Sequence, residues 1–131
     1  GRSAMAQNST GSANAAVGWG ASQSNTTGSN NTAVGWGALF ANTTNSNNTA
    51  VGLQALFNTT GGNNTALGFS AATDLSTGTN NTVIGYNAAP SSNTVSNEIT
   101  LGNSNITRFR IPGIGIDINK DIEMMTIMGA Y

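Results

Sequence analysis

Few side chains in this sequence could carry out chemistry. The 131 residues contain no Cys and no His, with four Lys or Arg and five Asp or Glu. Serine–histidine and cysteine–histidine catalysis and His- or thiolate-ligated metals are therefore excluded for this chain. Four cations are too few to neutralise a run of phosphates, so no nucleic-acid partner is expected.

Two carboxylates lie in the body of the chain, Asp74 and Glu98. Hydrolysis of a glycosidic bond needs two carboxyl groups about 5–9 Å apart. These two are 24 residues apart, in turn regions of different repeats, and we interpret them as solvated loop charges. The sequence therefore predicts no enzyme, no cofactor and no metal site.

Four aromatic residues recur at one position of a repeat, which could form a platform for a carbohydrate. They are Trp19, Trp36, Phe69 and Tyr86. They lie beside a row of aliphatic residues, and this position favours packing in a core or an interface over sugar binding.

The repeat that positions these residues is nearly constant in length. One aliphatic residue per copy is separated from the next by 17, 17, 16, 17 and 17 residues, and each is followed by Gly. We predict that these two rows form the structural core of the repeat. The rows are Val17, Val34, Val51, Leu67, Ile84 and Leu101, and Gly18, Gly35, Gly52, Gly68, Gly85 and Gly102.

A 17-residue period is too short for helical repeats of about 33–47 residues. It fits two strands of about five residues joined by two short turns. The first strand is predicted at 32–36 and its equivalents, and the second at 38–40 and 55–57. Asn and Gly, which accept left-handed backbone angles, supply the turns.

Alternation along the first strand separates bulky from small side chains. Thr32, Val34 and Trp36 share one face, and Ala33 and Gly35 share the other. We predict that the bulky row fills the stacked core, and that the small row meets other copies of the same chain. Strands without charge on either face favour such a symmetric, parallel oligomer.

Residues 30–39, Asn-Asn-Thr-Ala-Val-Gly-Trp-Gly-Ala-Leu, resemble the repeats of bacteriophage long tail-fibre proteins. They are also similar to the head repeats of trimeric autotransporter adhesins. The segment 96–113 resembles the end of such arrays in tail fibres. The resemblance implies an all-β fold: a left-handed parallel β-roll, or solenoid, assembled as a parallel homotrimer.

The resemblance also implies a function and a location. A tail-fibre segment lies on the virion and mediates attachment to a host cell-surface receptor, with a glycan as one candidate. The alternative is an adhesin head on a bacterial surface. A third reading, from residues alone, is an ice-binding solenoid, because one Thr per copy forms a ladder: Thr32, Thr49, Thr65 and Thr82.

The chain divides into three predicted parts. Residues 1–5 (GRSAM) look like a remnant of cloning, 6–107 form the repeat shaft, and 108–131 form a small cap or tip. Residues 108–111 and the alternating Ile114, Ile116 and Ile118 predict two strands around the turn Pro112-Gly113. Beyond Asn119 the pattern fits helix and strand equally well. No apolar stretch approaches the ~18–20 residues of a membrane span, so no membrane insertion is predicted.

Overall fold

The computed structural model describes residues 1–119, the last four of them by backbone alone. A six-stranded parallel sheet runs through it, in sequence order, and we call each repeat of about 17 residues a coil. Equivalent residues pair across the sheet, so Val34 lies between Val17 and Val51. The predicted all-β parallel solenoid is confirmed. Its strands are β1 (Ala15–Val17), β2 (Thr32–Val34), β3 (Thr49–Val51), β4 (Thr65–Leu67), β5 (Thr82–Ile84) and β6 (Ile99–Leu101).

Each strand has only three residues because the backbone turns on both sides of it. Asn30 and Asn47 precede β2 and β3 with φ of 58° and 63°, and Gly35 and Gly52 follow directly with φ of 136° and 137°. Asn and Gly enter these regions at low cost, as predicted for the turns. The predicted strand length of about five residues is therefore wrong.

The predicted second strand of each coil is also wrong. At 38–40 and 55–57 the chain forms overlapping tight turns, in which Leu39 and Leu56 have φ of 53° and 50°. Both leucine side chains are fully buried. Burial of a leucine is worth about 1.5–3 kcal/mol and offsets the ~1–2 kcal/mol cost of a left-handed residue. Side-chain burial therefore decides the backbone conformation here.

The strands contribute mostly small residues to the interior of the solenoid. The central residues of the strands, Ala33, Ala50, Ala66 and Val83, are fully buried. The prediction that placed the aliphatic row in the stacked core is wrong, because the central residue of each strand faces the interior and the aliphatic residue beside it faces the opposite way. The strand ends that point outward are Val17, Val34, Val51, Leu67, Ile84 and Leu101.

The glycine that follows each strand lies where successive coils approach most closely. A Cβ on Gly35 would lie 2.6 Å from the carbonyl carbon of Gly52 and 3.0 Å from the backbone nitrogen of Leu53. The close approach is therefore between coils of one chain, and it recurs at Gly18, Gly52, Gly68 and Gly85. In the last coil, the side chain of Ile106 packs against Gly102 and covers the end of this row.

A ladder of buried amides joins the coils on the inside. Each Asn Oδ1 accepts the backbone N–H of the equivalent residue in the next coil at 2.9–3.0 Å. Each Nδ2 donates to a carbonyl across the interior at 2.7–3.0 Å, so the side chains tie the coil to itself as well. The ladder consists of Asn14, Asn31, Asn48, Asn64 and Asn81.

A second, shorter amide ladder runs through Asn8, Asn25 and Asn42. Nδ2 of Asn25 donates to Oδ1 of Asn8 at 2.7 Å, and Nδ2 of Asn42 donates to Oδ1 of Asn25 at 3.1 Å. The next position holds Thr59, whose hydroxyl donates to the carbonyl of Ser76 instead. The buried Oδ1 of Asn42 consequently has no hydrogen-bond partner among the described residues.

The single 16-residue coil lacks one residue between Thr59 and Gly61. Gly28, Gly61 and Gly78 occupy equivalent positions, where a Cβ would overlap a carbonyl oxygen of the next coil. Asn45 takes this position in the coil that precedes the shortened one. The shortened coil therefore follows the one coil from Gly28 to Gly78 in which this position carries a side chain.

The two ends of the chain depart from the regular coils in different ways. Residues 1–5, interpreted above as a remnant of cloning, pair with the first coil: the N–H of Gly20 donates to the carbonyl of Arg2 and that of Met5 to the carbonyl of Ala21. After the sheet, the two predicted strands around Pro112-Gly113 are present as β7 (Arg108–Ile111) and β8 (Ile116–Asn119), and they pair antiparallel. Ile114 belongs to the 3-10 turn Pro112–Ile114 between them and not to a strand. The choice between helix and strand beyond Asn119 falls outside the described residues.

Candidate functional site

An apolar stripe runs along one side of the solenoid, formed by two columns of large side chains. One column is the aliphatic row at the strand ends, and the other follows it two residues later in each coil. All side chains of the two columns except Val51 are between 37% and 65% exposed. The apolar stripe comprises Val17, Val34, Val51, Leu67, Ile84 and Leu101 together with Trp19, Trp36, Leu53, Phe69 and Tyr86.

The apolar stripe is large for the surface of a single chain. Taking about 200 Å² for a whole aromatic side chain and about 100 Å² for an aliphatic one, its exposed parts amount to roughly 650 Å². The largest apolar patch of a typical monomer is about 300–600 Å². A stable interface buries about 800 Å² per partner. The stripe therefore has nearly the area of a complete protein–protein interface.

The apolar stripe carries no charge. No charged residue occurs between Ser3 and Thr73, and neither Asp74 nor Glu98 belongs to its two columns. A surface of this kind does not repel an identical copy of itself, whereas a charged surface would place like charges opposite each other in a symmetric contact.

The aromatic rings of the stripe stack on one another along the solenoid axis. The centroids of Trp19 and Trp36 are 5.2 Å apart with planes 10° apart, and those of Phe69 and Tyr86 are 5.4 Å and 21° apart. In each pair, one face of each ring is thus covered by the neighbouring ring. A sugar platform needs free ring faces, so this geometry favours the predicted packing role.

Two further aromatic residues, Phe40 and Phe57, enlarge this cluster. Phe57 stacks on Phe40 at 4.9 Å and on Trp36 at 6.3 Å. A Cβ on Gly37 would lie 2.9–3.0 Å from the Phe57 ring, so the ring lies directly over this glycine. A second strand at 38–40 and 55–57, as predicted from the sequence, does not imply this contact between Phe40 and Phe57.

A sequence signal for the contact exists. Gly20 and Gly37 are each followed 20 residues later by Phe, whereas the equivalent Gln54 has Thr73 in that place. The hydroxyl of Thr73 donates to the carbonyl of Gln54 at 3.0 Å. Glycine thus occurs in this column only where an aromatic ring covers it.

A column of threonines flanks the stripe on the strands. Thr32, Thr49, Thr65 and Thr82 begin their strands and point outward with the aliphatic residues, and Ile99 takes the place in β6. Within the described part of the chain, the hydroxyls of these four threonines have no hydrogen-bond partner. They therefore remain available to water or to a partner chain.

The carboxylate of Glu98 is held by hydrogen bonds within its own coil. Glu98 accepts hydrogen bonds from the backbone N–H and hydroxyl of Ser91 and from the hydroxyl of Thr100. The side-chain bond from Ser91, followed by that from Thr100, lowers the pKa of Glu98, because these bonds favour the ionised form. Glu98 thus joins Ser91 to Thr100, and Asp74 is exposed in another coil.

Neither a metal centre nor a membrane span is found in the described residues. Residues 1–119 contain no group of three or more Asp and Glu that could hold a metal ion. No helix in that range is long and apolar enough to cross a membrane. No protein-family model matches the chain, and no curated protein or solved structure is significantly similar to it.

Proposed function

We propose that this chain is a structural segment of a trimeric fibre, in which three copies pack in parallel through their apolar stripes. The observation that carries the proposal is the stripe itself: an uncharged apolar surface of nearly interface size that extends along the whole solenoid. The repeat resemblance supports a left-handed coil and a tail fibre on a virion, with attachment to a host cell as its purpose. We assign the chain no catalytic role.

In this proposal the bulky face of each strand contacts the other copies and the small face lies inside the coil, the opposite of what the sequence predicted. The small residues Ala33 and Ala50 are buried within one chain and are not available to a partner. Val34 and Trp36, exposed by 37% and 43%, are the side chains that another copy would cover. The unbonded hydroxyls of the threonine column lie at the margin of this surface, where they can bond across an interface.

Light scattering on the purified chain tests the proposal. We expect a mass close to three times 13.2 kDa. Val34→Asp places a buried, unpaired charge in the interface and should give folded monomers, whose far-ultraviolet circular dichroism is unchanged. Thr43→Asp, at an exposed position outside the stripe, is the matched control and should remain trimeric. A monomeric parent chain, or a Val34→Asp variant that stays trimeric, contradicts the proposal.

The receptor-contacting part is proposed to lie in residues 108–131, the segment that departs from the repeat. Its position at one end of the array and its concentration of charge support this choice. Six of the nine charged residues of the chain lie there. Whole-cell binding with and without these residues tests it, and a truncated trimer that binds cells equally well contradicts it.

Two other assignments remain in view. An adhesin head would use the same stripe for the same trimer, and a coiled-coil stalk and membrane anchor downstream in the gene would identify it. The ice-binding alternative is favoured only by the unbonded hydroxyls of the threonine column. It predicts thermal hysteresis that Thr49→Val abolishes, and the absence of hysteresis in the parent chain excludes it.

A further inference from the structure

The aliphatic column of the apolar stripe repeats too regularly to fix how two copies align along the axis. Equivalent residues pair across the sheet throughout, with Val17, Val34 and Val51 in successive strands. A copy shifted by one coil, about 4.8 Å, would present nearly the same aliphatic surface. A different part of the stripe must therefore select the alignment.

The aromatic column does distinguish one coil from the others. Trp19 and Trp36 form one stacked pair, and Phe69 and Tyr86 form another. Leu53 lies between the pairs and is the single aliphatic residue in this column. Phe57 stacks on Trp36 at 6.3 Å, but it belongs to the adjacent column. The column of Trp19, Trp36, Leu53, Phe69 and Tyr86 therefore has no ring at the third level.

This interruption coincides with a second irregularity. Leu53 belongs to the shortened coil, which lacks one residue between Thr59 and Gly61. The third coil therefore differs from its neighbours both in length and in the side chain that it presents to a partner. The coils on either side present large rings at the equivalent position.

We propose that Leu53 is the residue that sets the axial register between copies of this chain. The inference rests on the proposed trimer. Closed rotational symmetry places like levels opposite each other, so Leu53 meets Leu53 and rings meet rings. A shift by one coil opposes Leu53 to Trp36 or Phe69, which leaves a void at one level and overpacks another. With a ring in place of Leu53 the column would be aromatic at five successive levels, from Trp19 to Tyr86, and a shift by one coil would place ring against ring at four of them.

Leu53→Trp removes the difference between the third coil and its neighbours in this column, and Leu53→Phe does the same with a smaller ring. Leu53 is 39% exposed, and its neighbours in the column show that each coil accepts a ring there. The parent should give one discrete mass, because only an unshifted contact closes. The Leu53 variants should give a broad distribution of masses, because shifted contacts leave binding surfaces open at the ends. Phe69→Trp exchanges one ring for another and is the matched control.

Disulfides report the register directly, because the chain has no native Cys. Isotope-labelled Val17→Cys chains are mixed with unlabelled Val34→Cys chains, refolded, oxidised and analysed by mass spectrometry. We expect like pairs to exceed unlike pairs by about fivefold or more in the parent background, and this excess to vanish with Leu53→Trp.

The outcomes separate the two proposals. A monomeric parent contradicts the proposed trimer and the register inference with it. A trimeric parent whose Leu53→Trp and Leu53→Phe variants keep one discrete mass and the same excess of like pairs overturns the register inference alone. Loss of the discrete mass in Phe69→Trp as well would also overturn it, because the effect would then not be specific to Leu53.

Discussion

Replacing Gly37 by Ala places a methyl group against the ring of Phe57. The added carbon would lie 2.9–3.0 Å from two ring atoms, closer than carbon atoms approach without displacement. The positive φ of Gly37, 65°, is not the main obstacle, because the equivalent Gln54 and Ser70 adopt φ of 56° and 51°. Gly37 is therefore needed chiefly because Phe57 covers it.

The expected loss of stability in Gly37→Ala is the sum of the cost of the left-handed backbone and the cost of the contact with the Phe57 ring. A left-handed alanine costs about 1–2 kcal/mol, and an overpacked ring adds about 1–3 kcal/mol, so Gly37→Ala should cost about 2–4 kcal/mol. Gly20→Ala provides the internal comparison. A Cβ on Gly20 would lie 3.5 Å from the ring of Phe40, an ordinary contact, and 3.3 Å from Oε1 of Gln23, the end of a flexible side chain that can shift, so that variant should cost little beyond the backbone term.

Urea unfolding followed by circular dichroism measures the difference, at equal protein concentration for every variant. Phe57→Thr, which copies the natural Gln54 and Thr73 pair, should remove the clash. The double variant Gly37→Ala/Phe57→Thr should then be more stable than the sum of the single changes by about 1–3 kcal/mol. Equal costs for Gly20→Ala and Gly37→Ala, with additive energies in the cycle, would refute the reasoning.

Three further predictions concern the coils themselves. Thr59→Asn supplies a donor for the buried Oδ1 of Asn42 and should raise the free energy of unfolding by about 1 kcal/mol, measured by the same urea titration. Gly52→Ala places a Cβ against the carbonyl oxygen of Gly68 at a φ of 137°, and should cost about 3–5 kcal/mol, visible as a lower melting temperature. The lowered pKa of Glu98 means that its stabilising contribution is fully present above the unfolded value of 4.5 and is lost as pH falls through the lower folded value. Unfolding titrations at successive pH values should show this loss in the parent chain and not in Glu98→Gln.

The period, the parallel sheet and the Asn turns could be predicted because each depends on a residue type that recurs at the same position of the repeat. The recurrence of Asn before each strand and Gly after it defines where the backbone must turn, without knowledge of the packing. The amide ladder could be predicted for the same reason, since stacked identical coils place Asn31 beside Asn48. Local backbone preference and repetition together determine these features.

The inside and outside of the coil could not be predicted from alternation alone. Alternation shows that Ala33 and Val34 face opposite ways, but it does not show which way is in. That depends on the width of the closed coil, which is set by the corners at Gly37 and Leu39. The conformation of Leu39 depends on burial and not on the intrinsic preference of leucine. The candidate site was misassigned for this reason: Val34 and its equivalents form an outer surface.

The hydrogen bonds between coils have a mechanical consequence for any fibre built from this chain. Strand ladders bond at right angles to the strands, so in a solenoid these bonds run parallel to the axis. A force along the axis breaks these hydrogen bonds one coil at a time. Only the few bonds between two successive coils resist the force at any moment. The side-chain contacts between chains along the apolar stripe are instead loaded in shear, and the contacts of all coils resist the force at the same time. In such a fibre the contacts between chains would provide the tensile strength, and the coils would determine only its shape.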